Sequence, residues 1–364
     1  MKRIIIFLLS LLVVFSLVFS GGAEEKKVKD LIIITWGTGY VQENNVAEFE
    51  EQTGYKIKAT FVDNNNEIIS KLRAAPDIAD VVQPDLDNIY EAMEWKLYQP
   101  IDIDKIPNIK YIDPKIWESL KDIPGAYKDG KYYSIPFNWG AEGIIYDSSV
   151  ITEKIDSYGP LFDEKYTGKT TYRCDYPPFV ATGLYLGYDM TKVITSGDKD
   201  NAQEVFNKIF EFLKEKKPIV KTYWTSGDEE ISLFTTAGVV VGKGWASTYA
   251  KLVKIDKKYK WALPREKALT WMGTLAIPIG SKNVEGAHEW INFMLEPKHM
   301  ARYMEEDKAM SVVPKAVDML SPELKDHFNY VYPPGSADIL WWYPPLPSWL
   351  NDMVNQLVQR LRAE

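Results

Sequence analysis

Cysteine is nearly absent from this chain. The single one, Cys174, has no partner for an intrachain disulfide and reads as a lone, partly buried thiol. Histidine is scarce too: His288, His299 and His327 all fall in helical, polar-patterned sequence towards the C-terminus. No G-x-S-x-G, H-E-x-x-H or paired metal-ligand spacing occurs, so nucleophilic and zinc chemistry have no visible apparatus, and neither a metal nor a cofactor is expected. Gly238–Gly244 (GVVVGKG) has a superficial likeness to a phosphate loop. It has three residues between its first two glycines rather than four, with Gly244 in place of the magnesium-binding Ser or Thr, so it reads as a strand. Positive charge is also in deficit, with 43 Lys and Arg against 51 Asp and Glu. That removes the basic footprint nucleic acid requires and mildly favours cationic solutes. Repeats, low-complexity tracts and an interdomain linker are all missing.

One long apolar run is present. Lys2 and Arg3 precede Ile4–Phe19, broken only by Ser10 and Ser16, and Ser20, Gly21, Gly22 and Ala23 follow. A basic start, an apolar middle and a small-residue exit make a secretory signal, cut after Ser20, Gly22 or Ala23. The rival is a retained anchor, because the run comes close to the roughly 17–25 residues of a spanning helix. We expect residues 1–23 to be a cleaved signal peptide. With no cysteine near the cut, the product is a periplasmic protein and not a lipoprotein of the usual kind. Losing Lys2 and Arg3 takes the net charge from −8 to about −10.

The mature part is long enough for two domains. Apolar strands at Leu31–Thr35, Tyr55–Phe61 and Ala79–Val82 alternate with helical patterns, which predicts an α/β lobe with a largely parallel sheet. Ligands in such sheets sit beyond the carboxyl ends of the strands, where Trp36, Tyr40, Asp85 and Asp87 fall. Tyr133–Asp147 (YSIPFNWGAEGIIYD) starts as a strand, breaks at Pro136, turns at Trp139-Gly140 and resumes. Trp271–Pro278 (WMGTLAIP) is a second segment of this kind. Two crossovers far apart in sequence fit two α/β lobes closing on a ligand between them. The expected division is 24–139 plus 274–312 for the first lobe and 140–273 plus 313–364 for the second, hinged at Trp139, Gly140, Glu142 and Thr274.

Aromatics are plentiful, with 12 Trp and 22 Tyr. Trp36 ends a strand beside glycines, Trp245 follows a strand and a glycine, and Trp271 opens the return crossover; each suits either packing or ligand contact. Trp341-Trp342-Tyr343 is a rigid corner that would put Trp342 on the cleft or cap the lobe. Asp85-Leu86-Asp87 is a solvated loop or a pair of ligand-facing carboxylates. Several aromatic faces in one cleft would suit an organic cation, a desolvated cation–π contact contributing roughly 2 kcal/mol.

These residues resemble the bacterial spermidine/putrescine-binding proteins, the extracytoplasmic receptors of ABC importers. The likeness spans nearly the whole mature chain and is densest at Tyr133–Asp147, at Asp163–Lys169 (DEKYTGK) and at Trp271–Pro297. It implies the two-lobed periplasmic-binding-protein fold, no enzymatic activity, a monomer, a small cationic solute and permease subunits in the inner membrane as partners. By the same resemblance Trp36, Tyr40, Ser226, Trp245 and Trp271 correspond to ligand-contacting positions, and Asp85 and Asp87 stand where the family commonly has Ser and Tyr. Gly273 replaces the amine-binding aspartate of the family's W-M-D segment. The family's Asp and Glu after the strand Thr170–Cys174 are reduced to Asp175 at most, with prolines at 177 and 178. The expected solute is a polyamine or related organic cation. Alternatives are a receptor for ferric ion or a neutral compound, and an exported hydrolase recruiting Asp85 and Glu142.

Overall fold

A computed structural model describes residues 29–364, so the expected signal segment lies outside the described residues. Strand Lys29–Thr35 is flanked in parallel by Tyr55–Phe61 and Val81–Val82. Its apolar run is buried on both faces, as a parallel strand covered by helices requires. Leu31 and Ile33 pack with Phe49, Trp290 and Met300, while Ile34 packs with Ile68, Leu72 and Ile89 on the other side. The second sheet runs Leu340–Trp342, Ala268–Leu275, Ile135–Asp147, Val241–Trp245, Thr170–Arg173, Val220–Trp224. Its two faces are also covered, one by Tyr158, Phe179, Phe206 and Leu350 around Ile144, the other by Trp224, Phe234 and Trp261 around Ile145.

Strand Ile135–Asp147 joins the two halves. Its Ile135 and Phe137 belong to the first half's core, its Ile144 and Ile145 to the second's. Ala268–Leu275 runs antiparallel beside it, with Leu269 in one core and Leu275 in the other. The expected break at Pro136 does not occur. Pro136 pairs with Thr274 where the register slips between Gly273 and Thr274, and the Thr274 amide turns instead to the Pro84 carbonyl at 2.8 Å. Proline is tolerated where a bulge relieves the ladder of one donor. The turn expected at Trp139-Gly140 is likewise straight strand, and Gly140 is needed there for another reason. A Cβ on it would come within 2.6 Å of the Trp271 ring.

The expected switch of lobes at residue 313 comes too early. Ala316, Leu320, Leu324 and Phe328 remain in the first core, because helix Pro322–Val331 still presents its apolar face there. The last helix, Ser348–Ala363, does pack on the second half through Leu350, Val354, Leu357 and Leu361. Its Asn351 reaches back across the cleft, donating to Glu91 Oε2 at 2.6 Å and Asn66 Oδ1 at 2.9 Å, both on first-half helices. Replacing Asn351 with Ala should therefore remove about 1.5–3 kcal/mol of contact between the halves, as for a hydrogen bond to a charged group. Small-angle scattering is expected to report a larger radius of gyration for that variant, and an unchanged radius would show that this contact does not hold the halves together.

Candidate functional site

A cavity of about 630 Å³ lies between the two halves, well within the size range of small-molecule sites. Trp36, Tyr40, Asp85, Asp87, Asp175, Ser226, Trp245 and Trp271 all line it, together with Glu142. Strand-end geometry accounts for much of this convergence. Trp36 follows Lys29–Thr35, Asp85 follows Val81–Val82, and Asp175 follows Thr170–Arg173, so the carboxyl ends of parallel strands from both halves face the same space.

The aromatic side chains are held by specific partners. The indole N–H of Trp36 donates to the Gln83 carbonyl at 2.6 Å, which fixes its ring at the cavity rim. Trp271 rests on Gly140, and its indole N–H is buried without a partner. Trp245 meets Trp224 edge-to-face at 4.9 Å. Tyr40 packs on Tyr303 at 5.1 Å, and the Asn138 amide donates to both phenol oxygens. Ser226 caps helix Gly227–Thr236, its hydroxyl accepting from the Glu229 amide at 3.3 Å.

Carboxylates are concentrated here beyond what the structure itself neutralises. Asp85 accepts from the Asn65 side chain at 2.9 Å, yet burial pushes its carboxyl up to about 6. Asp87 accepts from Asn88 through one oxygen and leaves the other buried and unpaired; burial, with Asp85 beside it, raises it well above the carboxylate range. Asp175 pairs with Arg173 at 2.8 Å through one oxygen, and its other oxygen is also buried and unpaired. Asp307 accepts from the Tyr303 phenol at 3.0 Å and is raised by burial to about 6. Glu142 is paired already: it forms a buried ion pair with Lys243 and accepts from the Tyr343 hydroxyl at 3.4 Å. Breaking such a pair from one side typically costs about 3–5 kcal/mol, so this part of the wall is rigid.

Two expected site residues stand elsewhere. Trp342 points away from the cavity, 44% exposed and resting on Trp139, because the strand's alternation sends its neighbour Tyr343 inward instead. Gly273 is not on the cavity wall; it forms a backbone bridge with Asp85, and a Cβ on it would run into the Asn138 side-chain oxygen. Of the expected hinge residues, Trp139, Gly140 and Thr274 lie in the paired strands shared by the two cores, whereas Glu142 lines the cavity. Sequence reasoning missed Arg173, Tyr176, Tyr343 and Asp307, all of which line it. Only the aromatic run 341–343 carried a signal, and it left the inward residue undetermined.

Residues 44–330 match the family profile of bacterial extracellular solute-binding proteins. The chain belongs to that family. Among its relatives, the putrescine-binding periplasmic protein PotF of Escherichia coli K12 is 26% identical over 338 residues, covering 88% of this chain and 87% of that one. The spermidine/putrescine-binding periplasmic protein 1 of Haemophilus influenzae is 28% identical over 275 residues, covering 73% and 70%. A solved structure from Listeria monocytogenes described as a spermidine/putrescine ABC transporter superposes with a TM-score of 0.79 at 25% identity, covering 92% of this chain and 99% of that one. The family fold is the two-lobed periplasmic-binding-protein architecture, and the chain is a solute-binding protein of that type. Among the described residues no helix is long and apolar enough to cross a membrane.

Placing an aspartate at position 273 makes a direct test of the local packing. Gly273→Asp should lower stability by about 1–3 kcal/mol, through overpacking against Asn138 and like charge beside Asp85. Asn138→Ala in the same chain should recover part of that loss in urea denaturation. No recovery would mean that Asn138 is not the obstacle.

Proposed function

We propose that this chain captures a small cationic amine of the polyamine class between its lobes and delivers it to an ABC permease in the inner membrane. The observation that carries this reading is the charge of the cavity wall. Eight carboxylate side chains line it against two cations, Arg173 and Lys251. Buried unpaired oxygens on Asp87 and Asp175 call for donors. Aromatic faces at Trp36, Trp245 and Trp271 suit an ammonium group stacked among them. The relatives named for putrescine and spermidine support the same class. In this reading the lobes turn about the paired strands near Trp139–Gly140 and Gly273–Thr274, and ligand favours the closed form by contacts made only there. The first lobe then comprises the core around Leu31 and Trp290, extending to about residue 328, and the rest forms the second. Residues 1–23 serve as the export signal, and the mature protein works in the periplasm as a monomer.

A ferric site is disfavoured where tyrosines meet at the cavity, Tyr40 with Tyr303 and Tyr176 with Tyr343. Burial raises all four phenols well above their ordinary value, opposite to what a phenolate ligand needs. The two-carboxylate hydrolase is disfavoured because Glu142 is engaged by Lys243.

Titration calorimetry with putrescine and spermidine is expected to give saturable binding, with sugars and ferric ion silent; silence towards every amine would sink the proposal. Binding should also depend on pH. A bound cation favours the ionised carboxylates, so affinity should fall as pH drops through about 6, the value for Asp85 and Asp307, by up to roughly tenfold per unit for each. In the free protein the same raised carboxyls contribute most to stability at low pH and progressively less as pH climbs from their ordinary 3.8 towards 6. Ligand-induced thermal stabilisation should accordingly be larger at neutral pH than at pH 5. An equal shift at both would show that neither carboxylate meets the ligand.

A further inference from the structure

Arg173 has no counterpart among the expected site residues, yet it lines the cleft. It ends strand Thr170–Arg173, and its side chain is only 13% exposed. The guanidinium lies 4.9 Å from the Trp245 ring centre and 5.5 Å from that of Trp224. Its Nε donates to Asp175 at 2.8 Å, and an Nη donates across the cleft to the Asp63 carbonyl at 3.3 Å. Behind it Glu230 is fully buried, both carboxylate oxygens lacking a hydrogen-bond partner, pressed so closely beneath position 244 that only glycine fits there. The positive charge of Arg173 acts on Glu230, on Asp175 and, from the other lobe, on Asp85.

Two tryptophans and two acids around one cation make the environment in which an ammonium group would sit, and here it is filled from within. We infer that Arg173 is a built-in cation occupying the second-lobe end of the binding cleft, so that it sets the length and charge of the amine accepted. The inference rests on the cationic-amine reading above. A solute need supply positive charge only at the first-lobe end, by Asp85 and Asp87, and a long triamine would have to displace the guanidinium. Arg173 is poorly placed to read an anionic group instead: Asp175 already neutralises it, its face is covered by Trp245, and acids dominate the surrounding wall.

The test compares putrescine and spermidine binding by calorimetry for the parent protein, Arg173→Ala and Arg173→Lys. The parent should hold the diamine more tightly than the triamine. Arg173→Ala should raise the spermidine-to-putrescine affinity ratio by roughly tenfold or more, the scale of one desolvated cation–π contact. Arg173→Lys, which keeps the charge, should keep the parental ratio. The free Ala variant should also melt below the parent, since Asp175 loses its ion-pair partner, and spermidine should restore its melting temperature more than putrescine does. A ratio unchanged in Arg173→Ala, with both amines still binding, overturns the inference and leaves the amine reading intact. A parent that binds no amine overturns both. A parent that prefers an ω-amino acid to either amine, and loses it in Arg173→Ala, would show the guanidinium reading a carboxylate and likewise overturn the inference.

Discussion

The two lobes depend on one uninterrupted strand. Ile135–Asp147 carries residues of both cores along a single backbone, and its antiparallel neighbour Ala268–Leu275 does the same in reverse. Because both faces of a strand are buried in each core, a slip of one residue would exchange the inward sets of both lobes at once. The register is therefore over-determined. The cavity inherits that precision, since Glu142, Trp271 and the Asp85–Gly273 bridge all hang on these two strands. The one irregularity of this pair, the slip between Gly273 and Thr274, lies in the stretch that packs on the first core and hands a hydrogen bond to Pro84.

Around this frame the buried charges fall into two groups. Glu142 and Lys243 satisfy one another, and their value is rigidity, as for ion pairs whose desolvation nearly cancels their attraction. Asp87 and Asp175 keep an oxygen in reserve, which costs the free protein stability that a cation can return. Among these acids Glu142 is thus fully engaged, whereas Asp87 and Asp175 each retain hydrogen-bonding capacity towards the cavity.

Much of the frame was legible in the sequence because it is built from long apolar runs ending in distinctive residues. Leu31–Thr35 runs into Trp36-Gly37, and Gly143–Tyr146 is apolar enough to announce a buried strand. What stayed hidden depends on parity or on distance along the chain. Whether Trp342 or Tyr343 faces inward is decided by which of them alternates with Leu340 in a strand three residues long. Pro136 looked like a break because proline usually is one; its relief is a bulge at Phe137 that shows only against a pairing strand some 140 residues away. Asp307 comes from a helix end whose place beside Gly39 no local pattern marks. Arg173 reads as an ordinary strand terminus until Trp224 and Trp245 are brought against it.

Glycine at 273, where the resemblance read from the sequence implies an aspartate, gains a physical sense from the same pairing. The residue bridged to Gly273 across the sheet junction is Asp85, and bridged residues lie about 5 Å apart at their Cα atoms. The carboxylate on this pair of positions is thus carried by Asp85, on the cavity wall, and not by residue 273, which is off it. The glycine also explains Asn138, which fills the space a side chain at 273 would need and ties Tyr40 to Tyr303. Two acids cannot share that corner without cost: Asp85 and Asp87 are both raised by burial, and Asp85 further raises Asp87. Adding a third at 273 would neutralise one of them by protonation rather than deepen the attraction for a cation. A carboxylate at 85 stands on the cavity wall, whereas one at 273 would be spent against Asn138 and Asp85 behind it.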